Sequence, residues 1–212
     1  MGKINRGILG GFSGKVASVV GGAWKGIEYM RALPVTVSNP NSTAQQAQRT
    51  KMRTIVAFAQ GILGLILQPF WNPISQRMSG FNRFVKDNIA QVSGGGVISF
   101  VNIRLSEGPL QASAGLNCSA DDSDDNIVVS WTNNSGVGNA LATDEAIIAV
   151  WNETQEYWVT NIDTETRNSS PCNIADTRMV AGDTLNVYLS FHKQNDNTYC
   201  SESNWDSCVV SA

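Results

Sequence analysis

The stretch from Ser42 to Trp71 constrains the fold of this chain more than any other, because it combines a helix start, an apolar face and a stop signal. Pro40 cannot lie inside a helix, and the Ser42-Thr43 pair can cap the first turn that follows. Apolar residues then recur at helical spacing: Ala44, Ala47, Met52, Ile55, Phe58, Ala59, Ile62 and Ile66. This period predicts a helix over residues 43–68 that ends before Pro69.

The chain before this helix is rich in glycine, which argues against a further helix there. Residues 15–33 hold two β-prone runs on either side of Gly21-Gly22, and this arrangement predicts a β-hairpin that turns at the two glycines. Such a ribbon is marginal by itself, so we expect it to dock on a neighbouring molecule. After the long helix, apolar spacing predicts a second helix over residues 74–92, and a strand over residues 97–106.

From residue 110 onward, short β-prone runs alternate with clusters of Asn, Asp, Ser and Gly. The run Thr184–Phe191 alternates strictly between apolar and polar residues, which predicts an antiparallel strand buried on one face. Six or seven such runs predict a two-sheet sandwich. We therefore expect an α+β chain of two domains. The first is a basic region with a β-hairpin and a helical hairpin over residues 1–109, and the second is an acidic all-β sandwich over residues 110–212.

The net charge of −3 conceals opposite charges on the two halves of the chain. Residues 1–104 carry twelve Lys and Arg against two acidic residues, Glu28 and Asp87, whereas residues 105–212 carry three basic residues against sixteen acidic ones. This split predicts either that the halves face different partners or that the basic part of one copy meets an acidic surface of another.

The residue pattern contains no recognisable catalytic constellation. His192 is the only histidine, and it ends the alternating strand beside Lys193, where we expect it at the solvent edge. The absence of a C-x-x-C pair argues against a structural zinc site. The acidic run Asp121–Asn126 offers oxygen ligands, yet it lacks the glycine and the distal glutamate of a calcium loop. We therefore predict that the protein is not an enzyme and has no metal or other cofactor.

All four cysteines lie in the acidic half: Cys118, Cys172, Cys200 and Cys208. They are compatible with two disulfides, such as Cys200–Cys208 and Cys118–Cys172, or with four buried thiols. The first 22 residues lack the uninterrupted apolar stretch of a secretion signal. The apolar run Ile55–Leu67 is thirteen residues long, which is shorter than a spanning helix, so no membrane span is expected.

Two β-prone stretches resemble fibronectin type III domains. Asn126–Thr132 resembles their second strand, in which a buried tryptophan occupies the place of Trp131, and Met179–Tyr188 resembles their later turn and strand. Leu185 stands where those domains usually have a tyrosine. The resemblance covers about residues 110–212, and it implies an immunoglobulin-like, fibronectin type III-like sandwich.

A second resemblance rests on the N-terminal pattern. That pattern comprises Gly14-Lys15-Val16, Val19-Val20-Gly21, Trp24-Lys25-Gly26, Arg31, Pro34, Asn39-Pro40, Thr43, Gln45 or Gln46, Gln48-Arg49 and Lys51. Together with Ser79-Gly80-Phe81-Asn82 and Asp144, it resembles an uncharacterised family found in Bacteroidota genomes and in their phages. The resemblance covers most of the chain, brings no assigned catalytic residues, and implies a phage or prophage structural component.

The charge split, the ribbon and this resemblance together predict a non-enzymatic phage virion structural protein, capsid-associated and homo-oligomeric. Its basic region would anchor in the assembly, with sister copies and other virion proteins as partners, and its sandwich would project outward. Such a protein is assembled in the host cytoplasm and exposed after lysis. The expected assembly interface comprises Lys15, Val19, Trp24, Lys25, Tyr29, Arg31, Arg49 and Arg53.

Two other functions are compatible with the same pattern. The sandwich would bind a host glycan or a host-surface protein if the loops near Trp151, Trp158 and Trp205 presented these indoles. The basic N-terminal half would contact nucleic acid if its cations, which are interleaved with Trp24 and Tyr29, met a phosphate backbone.

Overall fold

The computed structural model describes residues 3–4, 11–24, 27–36, 39, 41–93 and 99–212. The chain divides into two compact units, Met1–Ser42 and Thr43–Ala212. The predicted α+β class with a C-terminal β-sandwich is confirmed. The predicted boundary at residues 109/110 is not where the chain divides, because the helices and the sandwich share one hydrophobic core, described below.

The first unit is a four-stranded antiparallel sheet in the order β1-β2-β3-β4. Its strands are β1 (Lys3–Ile4), β2 (Phe12–Val16), β3 (Val19–Trp24) and β4 (Ile27–Ala32). The turn between β2 and β3 falls at Ala17-Ser18, with Ala17 in the left-handed region at φ 49°. The predicted turn at Gly21-Gly22 is therefore wrong. These glycines lie inside β3, where a Cβ on Gly21 would stand 2.8 Å from ring carbons of Phe12.

The second unit begins with α1 (Thr43–Gln60), which is followed by a π-helix (Leu63–Trp71). The apolar stripe predicted from the sequence is buried only in its C-terminal half, at Ile55, Phe58, Ala59, Ile62 and Ile66, whereas Ala44 and Met52 are exposed. The prediction of one continuous helix over residues 43–68 is wrong, because the axes of the two helices differ by 93°. Pro69 lies inside the π-helix and does not end it. Proline has no backbone N–H to donate, and the stability lost with that hydrogen bond is offset by the burial of Phe70 and Trp71.

Trp158 determines where α1 ends. Its indole nitrogen donates a hydrogen bond of 3.0 Å to the carbonyl oxygen of Phe58 in the last turn, a group that a continuing helix would use itself. The same indole fills the space beside Gly61, so no side chain fits at that position. The bend is therefore a tertiary feature, produced by a residue 100 positions away from Phe58.

Gly61→Ala is expected to lower the free energy of unfolding by about 1–3 kcal/mol, because the new methyl group would overlap the Trp158 indole. Gly64→Ala is the matched control, since its Cβ would meet no atom within 4 Å and alanine favours helical backbone. Urea denaturation of both variants measures the effect. An unchanged midpoint for Gly61→Ala would contradict the packing of Trp158.

The second predicted helix is shorter than expected. It spans α2 (Gly80–Asn88) and one 3-10 turn (Ile89–Gln91), and the hydroxyl of Ser79 caps it by accepting from the backbone nitrogen of Asn82 at 3.3 Å. Residues 72–79 form turns instead, and the side chain of Asn72 accepts a hydrogen bond from the backbone nitrogen of Gly80 at 2.7 Å.

The strand predicted over residues 97–106 is not formed in residues 99–106, and residues 94–98 lie outside the described part of the chain. Phe100–Asn102 is a 3-10 turn. Side chains form hydrogen bonds with the backbone groups that a neighbouring strand would otherwise pair with. The Asn88 amide bonds both backbone groups of Arg104, at 2.8 and 3.1 Å, and the Trp71 indole donates to the carbonyl oxygen of Leu105 at 2.7 Å.

The sandwich consists of two antiparallel sheets. Its strands are β5 (Ala114–Asp121), β6 (Asn126–Thr132), β7 (Glu145–Asn152), β8 (Tyr157–Thr166), β9 (Cys172–Ala175), β10 (Thr184–Lys193), β11 (Asp196–Cys200) and β12 (Asn204–Val209). One sheet has the order β5-β6-β9. The other has the order β11-β10-β7-β8, with β12 also paired to β10. Trp131 on β6 is buried, as its resemblance to the fibronectin type III strand implies.

Both faces of the five-stranded sheet are buried. One face packs against the three-stranded sheet through residues such as Ile148, Val187 and Leu189. The opposite face, with Ile147 and Tyr188, packs against the helices. The prediction that β10 is buried on one face only is therefore wrong. Its polar residues face the helix layer, where the Tyr188 hydroxyl donates to the carbonyl oxygen of Phe100 at 2.9 Å.

Within the described ranges, no single helix is long and apolar enough to cross a membrane. Only α1 and the π-helix taken together meet the criteria of length and composition, and they are bent by 93°.

Candidate functional site

One face of the first unit combines exposed aromatic and basic side chains. Residues paired directly across antiparallel strands point to the same face, and here Trp24 pairs with Ile27, Gly22 with Tyr29, and Val20 with both Lys15 and Arg31. Trp24, Ile27 and Tyr29 line a shallow depression on this face. We call Lys15, Val20, Trp24, Ile27, Tyr29 and Arg31 the ribbon face.

The local sequence explains how these side chains come together. β3 ends at Trp24 and β4 begins at Ile27, and these two residues pair with each other, so Trp24 shares a face with Ile27 and Tyr29. Gly22 leaves room for the ring of Tyr29, whose hydroxyl would stand 3.1 Å from a Cβ at that position. An aromatic ring over a cross-strand glycine is a known way of covering exposed backbone.

The ribbon has almost no interior of its own. Among its described residues, 11–24 and 27–36, only Gly21 is buried. Trp24 is 68% exposed and Ile27 is 70% exposed, which are high values for residues of this size and apolarity. A single-layer sheet with no packed core lacks the burial that stabilises sheets in water. These residues therefore form an apolar surface of the kind that marks interaction sites.

The structure brings together only part of the predicted assembly interface. Lys15, Trp24, Tyr29 and Arg31 share the ribbon face, whereas Val19 points to the opposite face.

Lys25, another residue of the predicted interface, lies outside the described residues. Arg49 and Arg53 are exposed on α1, in the second unit. Sequence reasoning missed Ile27 and Val20, which strand register alone adds to the face.

The cysteines are arranged differently from the suggested pairs. All four are free, and the sulfur atoms of Cys118 and Cys208 lie 2.9 Å apart. The Cys200–Cys208 and Cys118–Cys172 pairings are therefore wrong. Cys118 and Cys208 share a hydrogen bond, which raises the pKa of Cys118 and lowers the pKa of Cys208. Burial raises the pKa of Cys200 to about 12 and also raises the pKa of Cys172.

His192 is not at the solvent edge, where the sequence had placed it. Its side chain is 1% exposed, and its ring packs at 5.0 Å from the ring of Phe70. Its Nε2 atom faces the carboxylates of Asp163 and Glu145. These three residues are the only group in the described part of the chain whose ligand atoms converge as a metal would require.

The acidic run Asp121–Asn126 forms no such group there, and Asp121 accepts hydrogen bonds from Ser123.

The tryptophans suggested for glycan recognition are packed under the helices. Trp151 and Trp158 stand 5.1 and 4.7 Å from the ring of Phe58, and the Trp205 indole donates to the Asn186 side chain at 3.1 Å. All three belong to the rim of the helix–sheet core and do not form an exposed aromatic platform.

The fold defines an α+β protein of two units, a four-stranded β-ribbon and a two-sheet β-sandwich that is covered on one face by helices. The chain belongs to the family described as "Family of unknown function (DUF6266)", which it matches over residues 11–205. Among curated proteins, none matches this sequence.

Two solved structures show a distant likeness to this chain. An Fn3-like protein from Clostridium thermocellum shares 16% identity, with 45% of this chain and 88% of that chain covered, at a TM-score of 0.29. A structure described as "Myokine structure" shares 14% identity, with 48% and 96% of the two chains covered, at a TM-score of 0.30.

Proposed function

We propose that this protein is a non-enzymatic structural component of an assembly, and that the ribbon face docks it onto a second copy of the same chain. The observation that carries the proposal is the exposure of Trp24, Ile27 and Tyr29 on a sheet in which Gly21 is the only buried residue among 11–24 and 27–36. The resemblance of the N-terminal pattern to phage-associated proteins favours a virion as the assembly. There, the protein would be built in the host cytoplasm and exposed after lysis.

Charge complementarity favours another copy as the occupant of the ribbon face. Lys15 and Arg31 are exposed on the same sheet face as the apolar depression, while residues 105–212 carry three basic and sixteen acidic residues. An aromatic centre with cations at its rim is the composition of many protein interfaces, in which the aromatic anchors supply affinity and the charges supply steering. The acidic sandwich of a neighbour offers the matching charge.

Replacing the aromatic anchors is expected to break the assembly. In the full chain, the double variant Trp24→Ser and Tyr29→Ser should raise the self-association Kd by at least about 30-fold, which corresponds to loss of a strong interface hot spot. Sedimentation equilibrium over a range of protein concentrations measures the change. Salt should weaken the wild-type association, because exposed charges contribute to it.

Met30→Ser is the matched control, because Met30 is 71% exposed and lies on the opposite face of the ribbon. It should leave the Kd unchanged. A wild-type chain that stays monomeric at high concentration would contradict the proposal. An equal loss of association in the double variant and in Met30→Ser would contradict the assignment to the ribbon face.

Nucleic acid is a second candidate partner, favoured by Lys15 and Arg31 beside exposed aromatic rings on one sheet face. Bases stack on such rings while cations neutralise phosphates. A monomeric wild-type chain that binds single-stranded DNA, with an affinity that falls steeply as salt rises, would favour this function over self-assembly.

Exposure of the protein to an oxidising environment is expected to join Cys118 and Cys208. The lowered pKa of Cys208 favours its thiolate, and the partner sulfur is already in contact with it. With diamide as oxidant, both thiols lose their protons, one S–S bond forms and diamide is reduced to the hydrazine. Peptide mapping by mass spectrometry should find this bridge and leave Cys172 and Cys200 reduced. A bridge to either of those two would contradict the expectation.

A further inference from the structure

Three potential metal ligands meet where three neighbouring strands of the five-stranded sheet run side by side. Glu145 on β7 pairs directly with His192 on β10, and Asp163 on β8 reaches the same point. The Nε2 atom of His192 lies 2.6 Å from an Asp163 carboxylate oxygen and 3.5 Å from a Glu145 carboxylate oxygen. All three ligand atoms lie within 4.8 Å of one another.

Acceptor oxygens surround both nitrogens of the His192 ring. Its Nδ1 atom faces the backbone carbonyl oxygen of Lys193 at 3.2 Å, and its Nε2 atom faces the two carboxylates. Carbonyl and carboxylate oxygens only accept hydrogen bonds. A neutral ring carries one proton, so it donates to only one of these two positions. In the tautomer with the proton on Nδ1, the Nε2 lone pair is available to a metal ion that the two carboxylates would also hold.

The backbone around Asp163 holds its carboxylate at this point. The pairing of β7 with β8 shifts register between Glu145 and Ile147, which is a β-bulge. Asp163 itself is in the left-handed region, at φ 60°. Bulges often redirect side chains at functional sites, and strained residues persist where the surrounding structure compensates for their cost.

We propose that Glu145, Asp163 and His192 bind a divalent transition-metal ion, with zinc as the best match. One imidazole nitrogen and two carboxylate oxygens form a mixed N/O set that suits zinc, whereas calcium and magnesium prefer oxygen alone. The carbonyl of Lys193 fixes the ring by accepting from the other nitrogen, the usual support of a metal-bound histidine. The Asp163 side chain is 54% exposed, which gives an ion access to the otherwise buried His192.

The test uses the tag-free full-length protein, stripped of metal by a chelator and dialysed. Zinc chloride should bind at one equivalent in calorimetry, and at about 100 times Kd it should raise the melting temperature by roughly 5–10 °C. Magnesium chloride at the same concentration should have no effect. Asp163→Asn and Glu145→Gln, which keep the shape of each side chain, should each weaken zinc binding by about tenfold or more.

Asp124→Asn is the matched control, because it removes one exposed carboxylate elsewhere and should bind zinc as the wild type does. Cys208→Ser controls for zinc captured by the Cys118–Cys208 thiols, and it should also retain binding. The proposal is overturned if the wild type binds no zinc. Binding that survives in both site variants, or that disappears in Cys208→Ser, would overturn it equally.

Discussion

Asp144→Ala is expected to lower the free energy of unfolding by about 3–5 kcal/mol, because it leaves the buried guanidinium of Arg167 without its counter-ion. Both side chains are nearly inaccessible, at 1% and 0% exposure, and the Arg167 Nε atom lies 3.2 Å from an Asp144 oxygen. Burial lowers the pKa of Arg167, and the carboxylate of Asp144 opposes that effect. Without the carboxylate, the desolvation of the charge is uncompensated.

The remaining contacts of Arg167 make relaxation difficult. Its other nitrogens donate to the side chain of Asn134 at 2.7 Å and to the carbonyl oxygen of Gln111 at 2.9 Å, and its guanidinium stacks 3.9 Å above the ring of Phe191. The group is therefore held in place from several sides. The guanidinium cannot turn toward water without breaking these bonds. Loss of its carboxylate partner therefore destabilises the folded state.

Guanidinium denaturation of the wild type and the variant measures this loss. The double variant Asp144→Leu with Arg167→Met removes both charges and should recover much of the stability, because an apolar replacement of a buried pair is often neutral. Asp124→Ala, an exposed carboxylate, should change stability by no more than about 0.5 kcal/mol. A loss below about 1 kcal/mol for Asp144→Ala would show that the pair contributes little.

Residues 110–212 expressed alone are expected not to fold cooperatively, whereas residues 43–212 should fold. The isolated sandwich would expose the sheet face that carries Ile147, Ala149 and Tyr188, each at most 2% exposed in the whole chain. Partly buried Trp151 and Trp158 on the same face would lose the contacts that Phe58 makes with them. Burial of apolar side chains is the main favourable contribution to folding, and here roughly one of two cores would be removed.

Circular dichroism in the near ultraviolet and thermal denaturation distinguish the two fragments. The longer fragment should show a single sharp transition, and the shorter one should show weak aromatic signals and bind a hydrophobic dye. Retention of a cooperative transition by residues 110–212 would support the domain boundary that the sequence suggested, and would contradict the shared core.

Several local features of the fold could be predicted from the sequence. The apolar stripe predicted over residues 43–68 identified Ile55, Phe58 and Ile62 as buried, because helical periodicity is a property of neighbouring residues. Strict alternation likewise identified Leu185 and Val187 as inward-facing. The charge split was visible from composition alone.

The errors arose where a distant partner decides a local structure. Trp158 ends α1, the Asn88 side chain replaces a strand neighbour for Arg104, and the helix layer covers Tyr188, which alternation had suggested was on an uncovered face. Polar residues on a strand indicate solvent only when nothing packs on that face. The sequence carries no local signal for the layer that does so here.

The candidate sites show the same division. The sequence by itself determined that the described part of residues 15–33 forms a β-ribbon that carries cations and aromatic rings, because glycine content and strand propensity act locally. Only the tertiary structure decided which of these side chains share a face, which cysteines touch, and that His192 meets Asp163 and Glu145. Those contacts depend on strand register, and register is set by packing between segments far apart in the chain.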